Sequence, residues 1–356
     1  EITQEEKLDF FRRANHCFGR SALMMSGSGM LLYFHIGVVK ALWQQGLLPD
    51  ILSGSSGGSF VGSLLATHSD RELEKIFDAN YLVHEIEQEK RALGVLHKVR
   101  PQILQIDEII ALLERLVPDM TFQESYEKTG RRMNISIAPA ETHQTSRLLN
   151  ATTSPNVLIR QAILASAAVP GVYPPVTLMA KDKYGEKKEY LPSRKWVDGA
   201  VSDDLPAKRL ARLYGVNHYI VSQTNPHVIP FISDAKRNRS AVSTIRVAAS
   251  RSAREWLNAG ASIMHKPLSR YPRLNHFTNT ALAVLNQDYI GDINILPPFR
   301  FHNPTRLLAH LTEQEIIDLL EMGERSAWPK IEMIRVQTKI GKSLHTLRKK
   351  LEKTAG

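Results

Sequence analysis

Gly54-Ser55-Ser56-Gly57-Gly58 sets a serine between two glycines in the spacing Gly-x-Ser-x-Gly. A serine hydroxyl attacks a carbonyl only when it is held clear of its surroundings and relieved of its proton. This spacing suits a strained turn between a strand and a helix, where the glycines let the two elements approach and the serine stands at the tip. The apolar run ending at Ile51-Leu52 supplies the strand and Phe60-Val61-Gly62-Ser63-Leu64-Leu65 the helix. A Gly/Ser-rich loop would use the same letters, but the flanking elements favour a nucleophile elbow, with Ser56 as nucleophile and Gly54 and Gly58 framing it.

An earlier stretch repeats the arrangement. Ala22-Leu23-Met24-Met25 reads as a buried strand, Ser26-Gly27-Ser28-Gly29-Met30 as a turn, and Leu31 to Trp43 as a helix. Backbone N–H groups at a helix start point outward without acceptors, so Gly27, Ser28, Gly29 and Met30 are candidates to hold an oxyanion. The phosphate-loop reading is weaker, because no Gly-Lys-Ser/Thr follows. Acyl transfer uses both turns.

The serine needs a base. Histidines follow it at His218, His227, His265, His276, His302, His310 and His345, and none has distinctive neighbours. Asp198, after Trp196-Val197 and before Gly199-Ala200, is expected at a strand end facing the crevice where α/β sites collect, although Asp-Gly is also an ordinary turn.

Around these turns the 356-residue chain alternates strand and helix, which predicts an α/β fold with a largely parallel sheet flanked by helices. Residues 1–20 read as a leading amphipathic helix, 21–232 as the catalytic body and 233–356 as a basic, mainly helical C-terminal region. Asp70 to Met120 reads as two or three inserted helices, scaffold rather than lid. Asn134 to Ala138 reads as a strand, Val157 to Ala168 as a helix and Lys181 to Ser193 as a charged hairpin. The single cysteine, Cys17, excludes an intramolecular disulfide and a multi-thiolate metal site, and is expected to be a small buried residue. No apolar run is long enough to span a bilayer, and no leader follows Glu1, so a cytoplasmic, peripherally membrane-associated protein is expected.

The net charge of +10 points to an anionic partner. It gathers between Lys236 and Arg273, where Glu255 is the only acid, and from Arg325 onward, with nine basic residues against two acidic ones. Ile331, Ile334, Leu344, Leu347 and Leu351 thread the latter at helical spacing, which reads as a basic amphipathic helix on an anionic membrane or lipid-droplet surface, or as a solvated terminus. No zinc-knuckle, helix-turn-helix or RNA-binding pattern accompanies the charge, so nucleic acid is not expected.

Ser26 to Met30, Gly54 to Gly58 and Asp198-Gly199-Ala200, with Ala165-Ser166-Ala167-Ala168-Val169-Pro170-Gly171 before the aspartate, together resemble the motifs of patatin-like phospholipases and lipases, closest to the branch related to triacylglycerol lipases. The resemblance covers roughly residues 20 to 230 and implies a three-layer fold and hydrolysis of phospholipids or acylglycerols without cofactor or metal. It implies a Ser56–Asp198 dyad without histidine, an acyl-Ser56 intermediate, and an oxyanion hole from Gly27 to Met30. The sequence departs from the family loop at Ser28, Leu31 and Leu32, the last standing where a glycine is usual, which predicts an altered turn and lower activity. The alternatives are a silent module that binds anionic lipid and a soluble esterase or thioesterase of small acyl groups.

Overall fold

The apolar runs around Leu23, Leu52, Ile135 and Ile220 form the middle of a seven-stranded sheet. The computed structural model describes residues 2–82, 84–85, 105–141, 145–199, 204–225, 291–298 and 308–355. Its first half contains α1 (Gln4–Phe18), β1 (Arg20–Met25), a 3-10 turn (Gly29–Leu31), α2 (Leu32–Gln44), β2 (Ile51–Gly54), α3 (Gly57–Thr67), α4 (Asp70–Ile76), α5 (Ile106–Leu116), α6 (Phe122–Thr129), β3 (Arg132–Pro139) and β4 (Arg147–Leu149). There follow α7 (Ile159–Ala167), the hairpin β5 (Leu178–Lys181) and β6 (Lys187–Tyr190), β7 (Trp196–Asp198), α8 (Ala207–Tyr214), β8 (Val216–Ser222), β9 (Ile293–Ile295), α9 (Glu313–Ala327) and α10 (Ile331–Ala355).

The strand order is β4-β3-β2-β1-β8-β9, with β7 also on β3. All pairings are parallel except those of β4 and β7 with β3. Alternate residues of a strand face opposite sides. Accordingly, Leu23 and Met25 pack into the large core with α2, α3, α7 and α9, whereas Ala22 and Met24 pack with Leu210 of α8. This is the expected three-layer α/β arrangement with a long C-terminal helix.

Two expectations change. Cys17 is exposed, since it lies in the last turn of α1, a helix whose only buried residue is Asn15. The strand ending at Asp198 runs antiparallel to β3 instead of joining the parallel set.

The C-terminal region shares the body's core. β9 pairs with β8, and Ile316, Leu319 and Leu320 of α9 with Ile331 and Ile334 of α10 are buried in the large cluster. Helices α9 and α2 cross at two glycines: a Cβ on Gly37 would lie 2.0 Å from the Leu320 carbonyl oxygen, and one on Gly323 would lie 2.1 Å from that of Phe34. That contact fixes α2, and with it the turn at its start. The basic run Lys236 to Arg273 and residues 86–104 of the inserted helices lie outside the described residues. Among the described residues, no helix is long and apolar enough to cross a membrane.

Candidate active site

β2 ends at Gly54 and α3 starts at Gly57, so the chain reverses over two residues. Ser56 takes up the reversal with φ 48° and ψ −122°, a backbone state that costs a non-glycine residue about 1–3 kcal/mol. Close packing holds it there. A Cβ on Gly54 would lie 2.3 Å from the Gly58 carbonyl oxygen, and one on Gly58 would lie 2.4 Å from that of Met25. Ser59 Oγ donates to the Ser56 carbonyl at 2.6 Å. The Ser56 amide donates to Ser166 Oγ at 2.9 Å, and Ser166 Oγ donates to the Ser136 carbonyl at 2.8 Å. The Ser166 hydroxyl therefore clips the elbow to β3. Standing at the start of α3, Ser56 lies at the positive end of that helix's dipole.

The register of β3 places Asp198. Ile135 pairs with Gly54 on one edge and Leu149 on the other, while Ile137 pairs with Asp198 and Arg147. β4 thus occupies one edge, and β7 continues along the edge that β2 leaves when its chain turns away. Gly54 and Asp198 stand two residues apart along β3, about 7 Å at the usual strand rise. Antiparallel β7 brings its last residue to the elbow from the opposite direction. Asp198 is 5% exposed, and its amide donates to the Ala168 carbonyl at 3.0 Å. Gly199 lies flat on β3, since a Cβ there would meet the Ser136 carbonyl at 2.3 Å. Ala200 lies outside the described residues.

The turn after β1 touches the elbow directly, because a Cβ on Gly57 would lie 2.1 Å from Ser28 Oγ and 2.7 Å from the Gly29 carbonyl oxygen. Its positive φ, 50°, falls on Gly29, while Leu32 has φ −53° and simply opens α2. The leucine in the family's glycine position therefore sits in ordinary helical backbone. Of the four candidate donors, the Gly27 amide is engaged, donating to Asp204 Oδ1 at 2.8 Å. Ser28, Gly29 and Met30 begin the turn, where a helix start leaves amides without backbone acceptors.

Asp204 and His35 anchor this turn from below, and both are fully buried. Asp204 Oδ2 accepts from Asn225 Nδ2 at 2.6 Å, and its carbonyl accepts from Ser55 Oγ at 3.1 Å, so one residue joins both turns. His35 Nε2 lies 3.1 Å from the Ser26 carbonyl and Nδ1 lies 2.6 Å from Ser222 Oγ. A carbonyl can only accept, so Nε2 carries the proton and Nδ1 accepts from the hydroxyl. Burial pushes the imidazole pKa down to about 4, leaving it neutral at pH 7.

No histidine is hydrogen-bonded to Ser56 among the described residues. His218 stacks near Phe18 with centroids 4.8 Å apart, at the start of β8. His310 faces Glu108 at 3.3 Å, and His345 lies on α10. His227, His265, His276 and His302 lie outside the described residues. Above Ser56 opens a groove of about 580 Å³, in part open to solvent. Its walls include Met30, Phe60 of α3, Leu112 and Leu113 of α5, Ile163 of α7, and Tyr173.

Sequence reasoning missed Ser166, Asp204 and His35 as supports. A histidine inside the otherwise apolar run Leu31 to Val39 was the available signal for a buried, hydrogen-bonded group. Asp204 offered none, because an acid in a turn is commonplace.

Known proteins agree with the motifs. The chain is 33% identical over 352 residues to "Triacylglycerol lipase SDP1L" of Arabidopsis thaliana, covering 94% of this chain and 43% of that protein. It is 34% identical to a patatin-like phospholipase domain-containing protein of Aspergillus niger, covering 95% of this chain and 47% of that one. The chain thus spans less than half the length of these curated relatives. Among solved structures, VipD from Legionella pneumophila gives a TM-score of 0.42 at 12% identity, covering 88% of this chain and 67% of that one, too remote to inform the site. The profile of the family described as "Patatin-like phospholipase" matches residues 23–211, just over half the chain. The chain belongs to the patatin-like phospholipase family.

Proposed function

We propose that this chain is a serine hydrolase of lipid esters that releases fatty acids from phospholipids or acylglycerols through an acyl-Ser56 intermediate. The observation that carries the reading is the meeting, at one sheet end, of a strained Ser56, the aspartate Asp198 two residues along β3, and a groove walled by apolar side chains. The groove takes an acyl chain, since apolar surface leaving water is favourable by about 25 cal/mol per Å². The Asp198 carboxylate accepts the Ser56 hydroxyl proton as Oγ bonds to the ester carbonyl carbon. The amides of Ser28, Gly29 and Met30 stabilise the oxyanion, typically by about 3 kcal/mol per donor. Collapse breaks the ester bond, and the leaving alcohol takes the proton back from Asp198. Water then attacks acyl-Ser56 with Asp198 again accepting a proton, the bond from Oγ to the acyl carbon breaks as Asp198 returns that proton to Ser56 Oγ, and the free fatty acid departs.

Family membership and the relative named a triacylglycerol lipase support an ester-hydrolase reading. The unstrained Leu32 supports an intact oxyanion turn over a silenced one. Fatty-acid release from phosphatidylcholine vesicles and from a triacylglycerol emulsion tests the proposal. Ser56→Ala and Asp198→Asn should each lower it by roughly a thousandfold or more with the fold retained. Retained turnover in Asp198→Asn would remove the dyad, and the ratio of the two substrates decides between phospholipid and acylglycerol.

A further inference from the structure

The opposite end of the sheet carries a second cavity. The amino-terminal ends of β1 and β2 and the middle of α10 border a cavity, partly open to solvent, lined among others by Arg20, Asp50, Thr338, Lys342 and His345. Arg20 opens β1, five residues before Met25, so this cavity lies about 17 Å along the strand from the end that carries Ser56.

Its charges are unbalanced. Arg20 is partly buried, and its guanidinium has no hydrogen bond or ion pair among the described residues. Burial pushes its pKa down, as do the nearby Arg132 and Arg348, with only Asp50 opposing them among the carboxylates. The imidazole of His345 is likewise pushed down by burial, then by Lys349, Arg20 and Arg348. Two buried nitrogens here, His345 Nδ1 and Arg348 Nε, lack hydrogen-bond partners, and the latter keeps only a 3.7 Å approach to Glu352. Lys342 Nζ donates to the Gly46 carbonyl at 2.6 Å and is an ammonium with donors to spare. Among the described residues no ion pair joins Asp50 to any of these cations.

Desolvated cations facing one another, with N–H groups unsatisfied, are unfavourable unless an anion supplies acceptors. The donors lining the cavity are a guanidinium, an ammonium and an imidazole, from Arg20, Lys342 and His345, and Arg348 follows three residues after His345 on α10. Several acceptor oxygens and more than one negative charge on a compact group would satisfy them, and that is the chemistry of a phosphate ester. The cavity is partly open, so the group that bears the phosphate can extend toward solvent. We infer that the cavity between Arg20 and α10 is a binding site for a phosphomonoester, separate from the ester-hydrolysing site.

Calorimetric titration with glycerol 3-phosphate, and flotation with phosphatidylcholine vesicles with and without phosphatidate, test this at constant ionic strength. Arg20→Gln and Lys342→Gln should each weaken binding roughly tenfold or more, while Ser56→Ala leaves it unchanged. Either variant alone suffices if the other fails to fold. Binding of glycerol 3-phosphate without vesicle capture identifies a soluble phosphoester, and phosphatidate-dependent capture lost in both variants identifies a lipid headgroup. Either result supports the site. No binding of either probe, or binding indifferent to both substitutions, overturns it.

Discussion

The turn after β1 and the turn after β2 join the same kinds of element at the same end of the sheet, yet one carries its positive φ on Gly29 and the other on Ser56. The first presents backbone: its glycine relaxes the turn, and Asp204 and His35 hold it by Gly27 N–H and the Ser26 carbonyl. The second presents a side chain, and a serine is kept where a glycine would sit at ease. An oxyanion needs amides, which any residue carries, whereas a nucleophile needs one particular hydroxyl at the tip. Of these two turns, the strained one is the one where chemistry demands a side chain.

The largest effect expected from breaking this contrast comes from below the first turn. Folded His35 titrates near pH 4, below the roughly 6.5 of an unfolded histidine, so it stays neutral while the unfolded chain takes up a proton. Its contribution to stability is full above about pH 6.5 and is lost as pH falls toward 4, by about 3 kcal/mol in all. Urea unfolding should show the advantage of the wild type over His35→Gln shrinking across that window. A constant difference would show that His35 is not buried neutral.

A smaller pair of effects should have opposite signs. Ser56→Gly should be about 1–3 kcal/mol more stable than Ser56→Ala, because only glycine relieves the elbow. Gly29→Ala should lose about 1 kcal/mol or more, since it puts a side chain at φ 50°. Equal stability of the two Ser56 variants would mean that the elbow is not strained, and a neutral Gly29→Ala would blur the contrast between the turns.

Much of this end of the molecule was legible in the sequence. Both turns, the flanking strands and the segment around Ser166 follow from short apolar runs punctuated by glycine. The position of Asp198 in its chain was legible too, but not the antiparallel approach of β7, because the pairing of Ile137 with Asp198 joins residues distant in sequence. Asp204 and Asn225, which tie the two turns, face the same limit. The sequence also foretold a basic helix near the C-terminus. It did not show that Ile331 and Ile334 sink into the core or that the next turns face Arg20 at the far end of the sheet, since a helical stripe looks alike whether it meets protein or lipid.

Covalent capture by a long-chain alkyl fluorophosphonate, followed by peptide mapping of the wild type and of Asp198→Asn, tests the central claim most directly. The account predicts one adduct, on Ser56, with labelling strongly slowed in Asp198→Asn. Labelling at another residue, or at Ser56 with no dependence on Asp198, would contradict it.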